Sequence, residues 1–323
     1  MADTASRLAA SVFIDGESGT TGLGIRTRLE AFPGVVIRSL TGERRKDPAA
    51  RQEMMREVDL VVLCLPDDAA EESTALADAL GDEAPKLLDA STAHRVAPDW
   101  AYGFPEMSAG QAALIAGARK VSNPGCYPTG AIALLRPLVE AGVMATDHPV
   151  TINAVSGYSG GGKAMIEAHD ASGGPAFELY GLGMEHKHLP ETQLYSGLSR
   201  RPIFIPSVGH YRQGMLVSVP LHLDTLAGRP TGADLAAILA ERYRGSGLVR
   251  VVPTKPGDRV EPEALNDTDL LELRVYAHEG HRQAVLVARL DNLGKGASGA
   301  AVQNAALMLG LPHPAATPEM ADA

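Results

Sequence analysis

Cysteine is nearly absent from this chain: 2 residues in 323, Cys64 and Cys126, too few for a disulfide framework and without the spacing of a metal site. That usage fits a reducing compartment. Long apolar runs are missing too. The longest, at residues 59–66 and 131–135, fall far short of the ~18 that would span a bilayer, so no transmembrane segment is expected. The N-terminal MADTASRLAASVFIDG lacks a charged region followed by a signal-length apolar core and reads as mature cytoplasmic sequence. Cations are in the minority, 29 Lys plus Arg against 39 Asp plus Glu, and a net charge of −10 argues against a nucleic-acid surface. Any anionic ligand must therefore be held by a local cluster of Arg, Lys and backbone N–H groups. With 45% hydrophobic residues the composition is that of a soluble globular protein, and at ~100–200 residues per domain the length suggests about two domains.

Over the first 125 residues, short β-branched runs alternate with amphipathic stretches: 11–15, 22–32, 35–40, 48–57, 59–65, 69–80 and 86–90. That alternation predicts βαβ units, a Rossmann-like doubly wound parallel sheet. The run DLVVLCL is apolar almost throughout, as a strand inside a parallel sheet must be. After Thr151 the strands alternate more openly, as in GMLVSVPLHL, LLELRVYAH and QAVLVARLDN, with residues 232–244 in helical register. This predicts an α+β catalytic and dimerisation domain on a mixed or antiparallel sheet. The Ala-rich segment 297–309 reads as a helix returning to the first domain, and the final PHPAATPEMADA as a loose tail. The expected division is 1–125 plus 292–323 for cofactor binding, and 126–291 for catalysis, substrate and oligomerisation.

The first strand runs into GESGTTG (residues 16–22), followed by helical spacing. A strand, a Gly-rich turn and a helix N-terminus bring backbone N–H groups up to a pyrophosphate, with the helix dipole favouring the negative charge. The glycines are spaced GxxGxxG rather than GxGxxG, and a tight turn without a ligand is the competing reading. About 20 residues beyond Gly22, where an NAD-preferring fold carries an acidic residue, this chain has TGERRK. Arg44, Arg45 and Lys46 suit a 2′-phosphate, which favours NADP; the alternative is an exposed loop partly neutralised by Glu43 and Asp47.

A second cluster, VSNPGCYPTG (121–130), precedes another helical pattern. Pro128 suits a first helical turn, which leaves Cys126 at or just before a helix N-terminus, a location that lowers a thiol pKa. Pro137 should kink that helix or end it early. Cys64, inside an apolar run, reads as inert core, whereas Cys126 among Gly and Pro reads as a nucleophile, with a buried structural Cys as the alternative. A nucleophilic Cys needs a proton carrier. His210, in the polar turn SVGHYRQGM between two strands, is assigned that role, while His186 and His188 in EHKHLPE read as an anion-binding patch or a junction loop.

Taken together, GESGTTG, SNPGCYPTG, SGYSGGGK (156–163), HKH, GHYRQGM and DNLGKGASGAAVQN show that the chain resembles the short-form N-acetyl-γ-glutamyl-phosphate reductases of the aspartate-semialdehyde dehydrogenase superfamily over nearly its whole length. SNPGCYPTG discriminates best. The resemblance implies that Cys126 is the nucleophile and His210 the acid/base group, and that Gly16, Ser18, Gly19, Thr20, Thr21 and Gly22 hold the cofactor pyrophosphate. It places Ser91, Asn292, Lys295 and Gly296 with the cofactor, and Arg95, Asn123, Ser156, Gly157, Lys187 and Arg212 with the substrate. It implies NADPH-dependent reduction of an acyl phosphate to a semialdehyde and phosphate through a cysteinyl thioester, in arginine biosynthesis. The partners are those small molecules, with no nucleic acid or membrane, in a homo-dimer or homo-tetramer. Two other readings stand beside it: a sister enzyme for aspartyl or N-acyl-aminoadipyl phosphate, and a dinucleotide-binding sensor without turnover. A Cys–His hydrolase would have no use for GESGTTG or TGERRK.

Overall fold

The computed structural model describes residues 9–313. Residues 1–8 lie outside them, as does the expected tail from 314 onward. The chain divides into two units. One comprises the described residues up to Gly103 with Ala112–Asn123 and Ala301–His313, the other Phe104–Gln111 and Pro124–Ala300.

Six strands form the sheet of the first unit: β1 (Ala10–Asp15), β2 (Val35–Arg38), β3 (Leu60–Leu63), β4 (Lys86–Asp89), β5 (Ala101–Tyr102) and β6 (Lys120–Ser122). Their order is β2-β1-β3-β4-β6-β5, with every neighbouring pair parallel. Helices α1 (Thr20–Glu30), α2 (Pro48–Arg56), α3 (Asp67–Asp78) and α4 (Gln111–Gly117) lie between them in the chain. Because strand side chains point alternately to opposite faces, each central strand feeds two cores. Val12, Ile14, Leu60 and Val62 pack with Ile25 and Leu29 of α1, while Phe13, Val61 and Leu63 pack with Met55 of α2 and Ala70 of α3. Two covered faces are the reason DLVVLCL carries no polar alternation. Helix α1 starts at Thr20, two residues before the expected position, so Thr20 and Thr21 belong to its first turn.

In the second unit β7 (Thr151–Gly157), β8 (Phe177–Leu179), β9 (Ile203–Gly209), β10 (Met215–His222), β11 (Val249–Val251), β12 (Leu271–His278) and β13 (Gln283–Leu290) form one mixed sheet, ordered β11-β12-β13-β10-β7-β9-β8. The β7–β9 and β11–β12 pairs are parallel and the others antiparallel. Along β10 the odd-numbered residues from Met215 to Leu221 are buried, as the alternation in the sequence requires. The unit's helices are α5 (Cys126–Glu140), α6 (Gly162–Ser172), α7 (Leu189–Ser196) and α8 (Gly232–Arg242), the last started by a Thr231–Asp234 capping box.

Helix α5 lies directly on this sheet. A Cβ at Gly130 would come within 2.9 Å of Val217 Cγ2, so only a glycine allows that approach. Pro137 neither ends the helix nor leaves a carbonyl orphaned. It removes the N–H that would bond Ala133 O, and the Tyr243 hydroxyl donates to that oxygen instead, at 2.9 Å. After β13 a π-turn at Gly294–Ser298 leads into α9 (Gly299–Leu309).

Candidate active site

In the first unit the Gly-rich turn is shaped by what cannot fit. Gly16 has φ +88°, and a Cβ there would collide with the Cys64 carbonyl; one at Gly22 would lie 2.7 Å from Gly16 O. Gly19 is the N-cap of α1 with no side-chain cap and no acidic residue in the first turn, so the positive end of the helix is left for a ligand. Glu17, the one acid inside the turn, is neutralised by Arg26 at 2.7 Å and receives the Ser39 hydroxyl at 2.9 Å. Gly16, Glu17 and Ser18 line a cleft of about 420 Å³ together with Gly42, Arg45 and Lys46. Of the two arginines expected to meet a 2′-phosphate, Arg45 lines this cleft. Arg44 is exposed and pairs with Glu53 at 3.1 Å, and Lys46 joins Arg45 as the second lining cation.

Past β4, the buried carboxylate of Asp89 orders the loop DASTAHR. It accepts the Ser91 N–H at 2.8 Å, the Ser91 hydroxyl at 2.7 Å and contacts His94 Nδ1 at 2.7 Å; the His94 ring stacks on Trp100. Arg95, nearly buried, donates from Nε to the Asn123 carbonyl at 3.0 Å, and Asn304 donates to the Asn123 side-chain oxygen. Ser91, Arg95 and Asn123 are thus held by one network at the ends of β4 and β6. Cys64, partly buried at the end of β3, is an inert thiol. Burial, reinforced by Asp89 and Asp15, pushes it up and keeps it protonated at neutral pH.

In the second unit Cys126 is the first residue of α5, after the extended N-cap Gly125. The Gly125 N–H donates to the buried carboxylate of Glu191 at 3.0 Å, and Thr129 returns its hydroxyl to the Gly125 carbonyl at 2.9 Å. Gly296 backs the cysteine: a Cβ at Gly296 would come within 2.9 Å of Cys126 Cβ. Tyr127 points inward, its hydroxyl donating to Ser207 O at 2.9 Å, and burial raises its phenol far above the ordinary value, with Tyr180 and Cys126 adding to the shift. The rings of His186, His188 and Phe204 pack around it. In the HKH stretch, read from sequence as an anion-binding patch or a junction loop, the two imidazoles pack with Tyr127 and Lys187 is the exposed member.

His210 follows the last residue of β9 and is exposed. Its Nδ1 meets Nδ1 of the buried His169 on α6 at 2.9 Å. Hydrogen bonds from Tyr158 N to Tyr211 O and from Ser159 N to Arg212 O join the loop after β7 to the His210 loop, and so bring Ser156, Gly157 and Arg212 beside it. Asn292 ties the same loops, accepting from Gly214 N at 2.8 Å and donating to Ser159 Oγ at 3.0 Å. Lys295 is 1% exposed and lies 2.9 Å from both carboxylate oxygens of Glu106, so its charge is matched inside this unit. Sequence reasoning missed His169, Glu191 and Glu106. Each acts through a neighbour distant in sequence, and the only local trace is that His169 and Glu191 lie just beyond the SGYSGGGK and HKH motifs.

The family described as semialdehyde dehydrogenase, NAD binding domain, matches residues 11–115, and semialdehyde dehydrogenase, dimerisation domain, matches residues 126–292. The N-acetyl-γ-glutamyl-phosphate reductase of Chelativorans sp. (strain BNC1) is 51% identical over 309 residues, 94% of this chain and 99% of that protein. The enzyme of the same name from Brucella ovis is 52% identical over 307 residues, 93% and 98% of the two chains. The chain belongs to the N-acetyl-γ-glutamyl-phosphate reductase family. Members of the wider semialdehyde dehydrogenase group share its fold. Aspartate semialdehyde dehydrogenase from Francisella tularensis superposes with a TM-score of 0.70 at 11% identity, covering 94% of this chain and 100% of that one. Aspartate semialdehyde dehydrogenase II from Vibrio cholerae gives 0.65 at 18% identity, over 94% and 99%. Within the reductase family, the parallel sheet with its Gly-rich turn and the mixed sheet with helix α5, which begins at Cys126, are this chain's versions of the two matched domains.

Proposed function

We propose that this chain reduces N-acetyl-γ-glutamyl phosphate with NADPH to N-acetylglutamate 5-semialdehyde and phosphate, in arginine biosynthesis, with Cys126 as nucleophile and His210 as acid/base group. The observation that carries the reading is identity above one half, over nearly full length, to reductases of that name. The residues present suit the dinucleotide: the turn at Gly16–Gly19–Gly22 leaves room for a pyrophosphate, and Arg45 and Lys46 line the same cleft, where they favour a 2′-phosphate and hence NADP. When bound, that cofactor supplies the hydride.

The protein's own contribution begins at α5. A thiolate at the first helical position is favoured by the helix dipole and attacks the acyl phosphate carbon; phosphate leaves and a thioester remains. Backbone N–H groups at the start of α5 steady the developing oxyanion. After reduction, His210 protonates the thiohemiacetal oxygen and takes the proton back as the aldehyde departs and the sulfur leaves as thiolate. Arg95 in the first unit and Arg212 in the second are each proposed as a contact for the substrate carboxylate or the departing phosphate. The outer face of the mixed sheet, with Phe177 and Leu179 exposed beside a groove of about 390 Å³ lined by Val155, Leu216 and Val287, is where a second copy docks in a homo-dimer or homo-tetramer of the cytoplasm.

Phosphate-dependent reduction of NADP by N-acetylglutamate semialdehyde tests the reading. Cys126→Ser should lower the rate by ~10³-fold or more. Higher kcat/KM with aspartate semialdehyde, or a fully active Cys126→Ser variant, sinks it.

A further inference from the structure

The contact between His210 and His169 constrains both rings. Two imidazole nitrogens 2.9 Å apart require one donor and one acceptor, so the two Nδ1 atoms cannot both carry a proton. Burial decides the direction. His169 is 5% exposed whereas His210 is exposed, and a positive charge is better tolerated on the ring that water reaches. His169 is also held in place. Tyr158 stacks on it with ring centroids 4.5 Å apart and an interplanar angle of 13°, and Gly174, at φ +52°, passes so close that a Cβ there would collide with the ring. The titratable and charged groups around the pair are Tyr158, whose hydroxyl donates to Asp170 on α6 at 3.4 Å, and Tyr211 and Arg212 on the loop of His210.

We propose that His169 is a positioning residue for His210: its Nδ1 accepts the Nδ1–H of His210 and so leaves Nε2 of His210 as the atom that moves the proton. The inference rests on reading His210 as the acid/base group. In the cycle, doubly protonated His210 gives its Nε2 proton to the thiohemiacetal oxygen. The same proton returns to Nε2 as the C–S bond breaks and its electron pair goes to the Cys126 sulfur. The Nδ1–H···Nδ1 bond persists through both transfers and His169 stays neutral. Without an acceptor, His210 divides between two tautomers and two ring orientations, and only part of the population presents a basic Nε2.

The test uses the full-length protein. Imidazole ¹⁵N spectra of the wild type should show His210 as the Nδ1–H tautomer when neutral. His169→Phe keeps a ring against Tyr158 but removes the acceptor. Its kcat should fall by about 10-fold or more with KM values little changed. His169→Asn, which returns an acceptor oxygen near the Nδ1 position, should recover most of the loss. An Nε2–H tautomer in the wild type, or an unchanged kcat in His169→Phe, overturns the proposal. His210→Asn separates the two levels. If it is impaired while His169→Phe is not, only the positioning role falls; if it is as active as the wild type, the acid/base reading falls and takes the proposal with it.

Discussion

Substituting alanine for Gly296 tests whether the backbone behind Cys126 sets the position of its sulfur. The added Cβ would stand 2.9 Å from Cys126 Cβ, 3.4 Å from Cys126 Cα and 3.1 Å from Asp291 O. Carbon atoms in contact settle at about 3.5–4.0 Å, so one of the groups must retreat by roughly 0.6 Å. Gly296 cannot give way easily, because its N–H donates to the same Asp291 carbonyl at 3.0 Å within the π-turn. The displacement therefore falls on Cys126. A misplacement of ~1 Å can cost ~10²-fold in rate, so a shift of about half that should lower kcat roughly 10-fold, with overpacking costing ~1–3 kcal/mol of stability. The assay is kcat for phosphate-dependent NADP reduction beside NADPH affinity by fluorescence. Gly117→Ala is the control, since a Cβ there meets nothing within 4 Å. A kcat within twofold of wild type in Gly296→Ala refutes the packing argument. A selective rise in the NADPH Kd with kcat preserved points instead to the cofactor contact that the sequence suggests for Gly296.

Tyr243→Phe should cost ~1–3 kcal/mol, read as a lower urea midpoint at unchanged m, because it strips the Ala133 carbonyl of its donor. Most of that cost should vanish in a Pro137→Ala background, where residue 137 can bond Ala133 itself; additive single effects would contradict this account. Burial works against ionisation of Glu272, yet hydrogen bonds from Arg250, Arg274 and Arg289 outweigh it and hold the carboxyl below its ordinary value. Its stabilisation is therefore fully present above the unfolded pKa of ~4.3 and disappears as pH falls through the lower folded value. Glu272→Gln should destabilise by about 3 kcal/mol at neutral pH, and the gap to wild type should narrow below about pH 4; a pH-independent gap would argue for a purely steric effect. Arg45→Ala combined with Lys46→Ala should raise the NADPH KM by about 10-fold or more and leave that for NADH nearly unchanged, whereas equal losses would remove the 2′-phosphate assignment.

The first unit was the more legible in the sequence. Its strands are covered on both faces and its helices are amphipathic, so residues 11–15, 59–65 and 86–90 stand out by composition alone. The Gly-rich turn was equally visible because it directly follows the apolar first strand and precedes helical spacing. The second unit hides more. Helix α7 begins immediately after His188, in a segment whose HKH and Pro suggest a loop, because packing of His186 and His188 on Tyr127 outweighs the weak local preference. Lys295 is expected near the cofactor, and nothing within its own stretch of chain announces that Glu106, 189 residues away, pairs with it. Glu191 and His169 are silent in the sequence for the same reason: their chemistry is defined by an N–H or a ring nitrogen on a distant segment.

The three glycines of the nucleotide turn are not equivalent. Positions 16 and 22 are closed to any side chain by the protein's own carbonyls, whatever is bound, whereas the nearest atom to a Cβ at Gly19 is 3.7 Å away, an ordinary contact. Substitutions at 16 and 22 will therefore report on folding. At 19 a small side chain can be folded around, so saturation mutagenesis there maps how near a dinucleotide's phosphates come to the main chain.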